Sequence, residues 1–364
     1  MMTVGGGAPC VVDACSINSD REPTRRCRRR AVSLLIAGCP MLIAPLKDVM
    51  DWLTEESQPA VRYLAMRDLL ESSDGDLREA KKEIPARGWV EQIHRKRHPG
   101  GYWANAEDLY RPKYHSTNWM LLTLSDLGVT RELPWLAESA ERWRDAYARL
   151  DGGFDTPGAE TSELCLVGNT ARALVKFGYE DDPKVKSAFE WLVRNQKPNG
   201  GWDCFGRNGV IDGWEGMSAF AAYPRQRWTR GMKSTVDKGL EFYLERRLLR
   251  EGRRYAPWHR LHFPYHYYYD VLVGLEFVSS LGRGDDPRAS SAVRLLKKKR
   301  TQQGRWLMDA AHPDYLNAGR LPRWFEKRRK DLRPFFLEPP GRPSKIITLR
   351  ALRVLKRLGE PVPG

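Results

Sequence analysis

A glycine doublet followed by an aromatic residue recurs along this chain: HPGGYW at Gly100, LDGGFD at Gly152 and PNGGWD at Gly200, with degenerate copies EGRRYAPW at Gly252 and QQGRW at Gly304. The intervals are 52, 48, 52 and 52 residues, and a fixed period of this size is the mark of a repeat architecture. A second set of glycines keeps the same beat. The segments SDLG, VKFG, SSLG and KRLG end on Gly128, Gly178, Gly282 and Gly359; the first interval is 50 residues and the second, from Gly178 to Gly282, is 104, which is two periods. Each closes an apolar helical pattern, where glycine supplies the left-handed C-terminal cap. The DDP triplets at Asp181 to Pro183 and Asp285 to Pro287 then place an N-capping aspartate before a proline in the first helical turn.

The repeating unit is therefore helix, cap, helix, glycine turn. First helices are expected near 58–72, 115–127, 160–177, 214–230, 265–281 and 343–358, the fourth interrupted by Pro224. Second helices are expected near 86–98, 134–149, 183–197, 234–250 and 285–300. This predicts an all-α fold, an (α/α)6-like toroid of roughly 50-residue hairpins with one layer of helices inside the other. An open solenoid of the HEAT type is the alternative, although glycine-aromatic turns are not its signature.

KSAFEWLVRNQKPNGGW, from Lys186 to Trp202, resembles the QW repeat of the terpenoid cyclase and protein prenyltransferase superfamily, as found in squalene-hopene cyclases. Lys186, the Trp191-Leu192 pair, Gln196, Gly200 and Trp202 stand at the family spacing. KGLEFYLERRLLREG, from Lys238 to Gly252, keeps the basic residue and the Tyr243-Leu244 pair but has Leu248 in place of Gln. The likeness spans roughly residues 50–359 and implies a toroid in which Gln ties turn to helix while Trp packs beneath. It also implies a polyprenyl or other hydrophobic anionic substrate held in a central lumen. The chain departs from the family in lacking both the DxDD acid and the DDxxD magnesium motif, and it carries no P-loop, GxSxG, HExxH or dinucleotide fingerprint.

Composition agrees with a large core, since 13 Trp, 14 Tyr and 11 Phe supply aromatic area. The formal charge of +15 favours anionic partners, including the surface of an acidic membrane in peripheral contact; nucleic acid is the less favoured of them. The runs KKKR at Lys297 and EKRRK at Glu326 read as solvated faces. Of six cysteines only Cys165 and Cys204 lie beyond residue 39, with no CxxC, which fits a reducing cytoplasm rather than a disulfide framework. Residues 1–40, with an Arg-rich run and no apolar period, read as a disordered extension ahead of a toroid domain at 41–364. The IAGC at Ile36 to Cys39 looks like a lipoprotein cleavage box, but its apolar stretch is short, and Met41 or Met50 is the expected opening of the folded part.

Counting back from each cap glycine aligns the first helices. Positions minus 1, minus 4 and minus 11 form an apolar stripe expected to pack on the second helices: Leu127, Leu124 and Thr117; Phe177, Leu174 and Val167; Leu281, Val278 and Val271; Leu358, Leu355 and Thr348. The opposite face carries His115, Trp119, Cys165, Asn169, Arg172, Tyr269, Glu276, Arg350 and Arg353, and is expected to line the lumen. There His115, Trp119, Asn169, Arg172, His266, Glu276 and Arg350 are candidates for substrate contact, and Arg172, Lys345, Arg350 and Arg353 for a diphosphate.

Asp203, Cys165, Cys204, His259, His262 and His266 form the best ionisable cluster, with Cys165, Cys204 and His262 as a candidate zinc set. The protein prenyltransferases that the chain distantly resembles hold zinc through Asp, Cys and His. Asp203, His262 and Tyr269 are the candidate catalytic residues; in HFPYHYYYD the spacing predicts His262, His266 and Tyr269 on one helical face, where tyrosine can stabilise a cation. Two other functions stay open. One is a non-catalytic scaffold for lipid, peptide or partner protein, and the other a glycoside-processing toroid using Asp155 or Asp203 with Glu276.

Overall fold

The structure, a computed structural model, describes residues 49–250, 255–310 and 337–360. The expectations for the N-terminal extension, its cleavage box, the turn at Gly252 and the EKRRK run lie outside those residues. Among the described residues no helix is long and apolar enough to cross a membrane.

Thirteen α-helices and no named strand make up the described chain. Six of them form the inner layer: α2 (Pro59–Asp68), α5 (Thr117–Ser125), α7 (Leu164–Phe177), α9 (Glu215–Ala222), α11 (Val271–Ser280) and α13 (Lys345–Arg357). From α5 onward each packs on the next, and α13 returns to α2, where Lys356 Nζ donates to the backbone carbonyls of Asp68 and Leu69. Between α2 and α5 the junction is the Gly128 cap against Tyr63 and Leu64. The ring is closed, and the fold is the all-α toroid of helical hairpins.

The outer layer is α4 (Gly88–His94), α6 (Pro134–Tyr147), α8 (Pro183–Arg194), α10 (Arg230–Glu245) and α12 (Ser290–Lys298). Two further helices were not expected: α1 (Val49–Leu53) and α3 (Asp74–Glu83). The short α1 takes the sixth outer place. Its Val49 lies against the Gly304 turn, and Trp52 is covered by Arg305, 4.2 Å from the ring centroid, just as each other described turn meets the outer helix after it. An N-terminal helix thus completes the last hairpin.

The turns explain the repeat. Gly101, Gly152, Gly200 and Gly304 all have left-handed φ, between +75° and +89°, and each turn closes through the same pair of backbone hydrogen bonds, as in Lys197 N to Gly201 O and Gly200 N to Lys197 O. In the first copy the equivalent glycine is Gly101, one residue later than the alignment on Gly100 placed it. Trp103, Trp202 and Trp306 lie beneath their turns, buried, each donating its indole N–H to the carbonyl ten residues earlier, on Ile93, Leu192 and Leu296. Gln196 Nε2 donates to Gly200 O and to Thr235 O of α10, both at 2.8 Å, and so ties turn to helix.

The capping reading holds in detail. Asp182 accepts from Lys184 N, Asp286 from Arg288 N, and Gly128, Gly178, Gly282 and Gly359 all have positive φ. The apolar stripe is buried apart from half-covered Leu358, and its two threonines have a purpose of their own: Thr117 and Thr348 Oγ1 accept the backbone N–H of Trp103 and Trp306. Helix α9 ends at Ala222, before Pro224.

Gly200 is the sharpest test of this packing, because a Cβ there would meet the Lys238 carbonyl oxygen at 2.6 Å as well as straining a φ of +86°. Gly200→Ala is expected to cost about 2 kcal/mol or more of unfolding free energy, and Gly341→Ala, at φ +77° with open space around it, clearly less. Urea midpoints of the two variants decide this.

Candidate functional site

The inner helices run in one direction, so their two ends differ. Near their N-terminal ends the ring is filled by residues 261–270, LHFPYHYYYD, which form no helix. Here the structure departs from the sequence reading: α11 begins only at Val271, where Asp270 Oδ1 accepts the N–H groups of Leu272 and Val273, and His262, His266 and Tyr269 share no helical face. The other Asp270 oxygen accepts from His262 N (2.9 Å) and contacts His262 Nδ1 (2.6 Å), so one buried carboxylate both caps the helix and folds the segment back.

This segment plugs the ring. His266, with φ +38°, stacks on Tyr114 and meets Trp119 edge-on, while its carbonyl accepts from Asn169 Nδ2 at 2.7 Å. Burial, helped by the nearby His262 and Arg172, pushes His266 down to about 3, so its imidazole is neutral. Tyr267 meets Trp119 edge-on and shares a hydroxyl contact with Tyr110. Tyr269 turns outward, its hydroxyl on Leu248 O. His115 is half-buried, one residue before the N-cap Ser116 of α5. Thus Trp119, Asn169 and His266 are brought together around the plug and not around open space.

Above the plug, toward the C-terminal ends of the inner helices, lies a well of about 380 Å³ to which all six inner helices contribute. Its floor is Trp214, Phe263 and Tyr265, and its walls hold six basic side chains, Arg67, Arg172, Lys176, Arg350, Arg353 and Arg357, against three acids, Asp68, Asp126 and Glu276. Arg172 (Nη1 to Oδ1, 3.0 Å) and Lys176 (2.5 Å) both bind Asp126. Arg350 grips Glu276 with two bonds of 2.9 and 2.6 Å, Tyr265 donates to the same carboxylate at 2.8 Å, and the Arg350 guanidinium lies over the Tyr265 ring at 3.5 Å. Arg353 pairs with Asp68.

The electrostatics follow from this pairing. Burial works against the Asp126 charge, but Arg172 and Lys176 outweigh it and hold the carboxyl below its ordinary range. Burial pushes Glu276 up to about 8. Burial also lowers Arg350, whose neighbours Arg172 and Arg353 repel it.

Of the residues expected at the lumen, Arg172, Glu276, Arg350 and Arg353 line the well, whereas Asp203, His262 and Tyr269 do not. Neither Asp155 nor Asp203 reaches it, so neither stands opposite Glu276: Asp155 accepts from Thr156 N and Glu163 N, and Asp203 from Gly206 N. Lys345 binds Glu55 at 2.9 Å, away from the well. Asp126 and Lys176 went unrecognised in the sequence because they sit at and just before a helix end, where charges ordinarily serve the helix alone.

Cys165 and Cys204 do meet, but their third companion is Glu163, with His262 held by Asp270 instead. The closeness of the two thiols raises Cys165 and lowers Cys204. Burial, and then Cys204, push the carboxyl of Glu215 well up.

Asp126→Asn would strand two cations, one of them buried, and is expected to cost about 3–5 kcal/mol. The depressed carboxyl stabilises the fold above its ordinary value of 3.8, and that stability is lost as the pH falls through its lower folded value. Denaturant midpoints from pH 6 to 3 should therefore fall less steeply in the variant than in the parent.

No protein-family model and no curated protein matches the chain. Among solved structures, a type II terpene cyclase, MstE from Scytonema, is 15% identical over 84% of this chain and 88% of that one, with a TM-score of 0.43. An unsaturated glucuronyl hydrolase specific for heparin is 11% identical over 85% and 86%, with a TM-score of 0.46. A possible member of the GH105 family from Salmonella enterica is 14% identical over 84% and 82%, with a TM-score of 0.42. Likeness at these identities carries no activity across to this chain.

Proposed function

We propose that this protein holds the anionic head of a hydrophobic small molecule, a polyprenyl diphosphate or a similar ester, in the charged well. The observation that carries the reading is the surplus of six basic over three acidic side chains around 380 Å³ of space with an aromatic floor. Guanidinium groups match phosphate oxygens in pairs, and a half-enclosed well strengthens each such contact over its value in water. Leu64, Phe277, Ile346 and Leu349 provide apolar wall for the first carbons of a tail.

A competing account gives those cations a structural duty. Six helix C-termini converge on the well, each equivalent to about half a negative charge, which together would offset a surplus of three. Arg67, Lys176 and Arg357 do stand in the last turns of α2, α7 and α13. Arg172 and Arg350 do not, being mid-helix, and they extend the positive field down to the floor.

A catalytic role, cyclase-like or prenyl-transferring, falls to Glu276. It faces the well, and burial pushes its carboxyl into the range where a proton is exchanged near neutral pH, whereas Asp126 stays ionised. The second reading, a non-catalytic binder, is favoured by the pairing of all three acids with basic partners.

Calorimetric titration with inorganic pyrophosphate separates the accounts. Binding is expected in the parent, weakened at least tenfold in the double variant Lys176→Ala, Arg357→Ala with little change in melting temperature, and tightened when pyrophosphate is replaced by farnesyl diphosphate. Absence of binding in the parent, or a fall in stability with affinity unchanged, supports the structural account. Turnover of farnesyl diphosphate lost in Glu276→Gln with binding kept supports the enzyme; binding without turnover leaves the binder.

A further inference from the structure

We propose that Glu163, Cys165 and Cys204 form a seat for one thiophilic divalent cation, zinc being the ion to test. Their ligand atoms all lie within 4.8 Å of one another. Bonds of about 2.3 Å to sulfur and about 2.0 Å to oxygen set tetrahedral ligands roughly 3.5 Å apart, so the three groups close on an ion by about 1 Å or less. Side-chain rotation alone covers that distance. The three come from two segments of the fold: Glu163 immediately precedes α7 and Cys165 is in its first turn, while Cys204 follows the Trp202 turn of the next hairpin.

Two further observations support a ligand here. Glu163 occupies the N-cap position of α7, yet its side chain caps nothing and instead accepts from the Cys165 thiol at 3.8 Å. Behind the thiols lies Glu215, 2% exposed and without an ion pair among the described residues. Gly168, one turn along α7 from Cys165, is where Glu215 packs, a Cβ there meeting the Glu215 Cβ at 2.6 Å. With no cation bound, a buried acid in that position is held neutral beside the two thiols, and a divalent ion at the thiols would favour its ionised form. Cys204 also borders a separate cavity of about 350 Å³ with Asp203 and Trp202, which gives an ion a way in and leaves the fourth position to water. Three protein ligands and one open position are the pattern of a catalytic rather than a structural zinc.

The other four cysteines, Cys10, Cys15, Cys27 and Cys39, must be separated from this seat. The full chain, with these four changed to Ser, is stripped with chelator, given zinc sulfate, desalted and weighed by native mass spectrometry. One zinc per chain is expected, with affinity lowered at least 100-fold by adding Cys204→Ser and about tenfold by adding Glu163→Gln, a near-isosteric change at a half-buried side chain that guards against misfolding of the first. Cobalt in place of zinc should give a thiolate charge-transfer band that Cys204→Ser removes. Less than a tenth of an equivalent of zinc, zinc retained in Cys204→Ser at unchanged affinity, or a Cys165–Cys204 disulfide found by peptide mapping of chain purified without reductant would overturn the proposal.

Discussion

The close approach of each glycine turn to the outer helix that follows it is the contact on which the ring depends. At Gly200 the next helix sits so near that one added carbon would touch its backbone, and Gly152 and Gly304 meet Ser187 and Val49 almost as tightly. A turn that flat needs a left-handed residue, and the tryptophan beneath it fills the space the glycine leaves. The contact is made by each described turn with the outer helix after it, and so it ties neighbouring hairpins together around the ring. The short N-terminal α1 accepts the last turn and closes the circle, so the ends of the described chain support one another.

Closure has an electrostatic consequence. Inner helices are covered by outer helices on one side and by one another on the rest, so α7 exposes only Cys165 and Lys176 to any degree. A charged residue on such a helix must find a partner or pay heavily for desolvation. The arrangement answers this with pairs made across helix boundaries: Arg172 with Asp126, Arg350 with Glu276, Arg353 with Asp68. These pairs gather where the plug ends, because the plug fills the other half of the lumen with aromatic rings. The well is therefore what remains of the lumen once residues 261–270 have been folded into it.

Much of this was legible beforehand, for reasons local to the chain. Cap residues act within a few positions of themselves, so Asp182, Asp286 and the four cap glycines could be read from triplets. Core faces follow from a period of 3.6, and the apolar stripe proved buried. The site was less legible. HFPYHYYYD has the composition of a buried helix, yet Asp270 caps α11 one residue beyond it and draws His262 back to the same carboxylate. Cys165 and Cys204 lie together as their places in successive hairpins suggested, but the group beside them is Glu163, two residues from Cys165, while the distant His262 is held by Asp270.

What the sequence determined by itself is the unit and its repetition: helix, cap, helix and glycine turn are each specified by residues that are neighbours along the chain, and the turn recurs at a nearly constant interval. What only the tertiary structure decided is the content of the lumen. Whether a side chain meets water, a counter-ion or a tyrosine there depends on six helices distributed over some three hundred residues and on a segment that leaves its own helix to fill the centre. Pairing across such separations is set by the closed geometry of the ring, which no local pattern encodes.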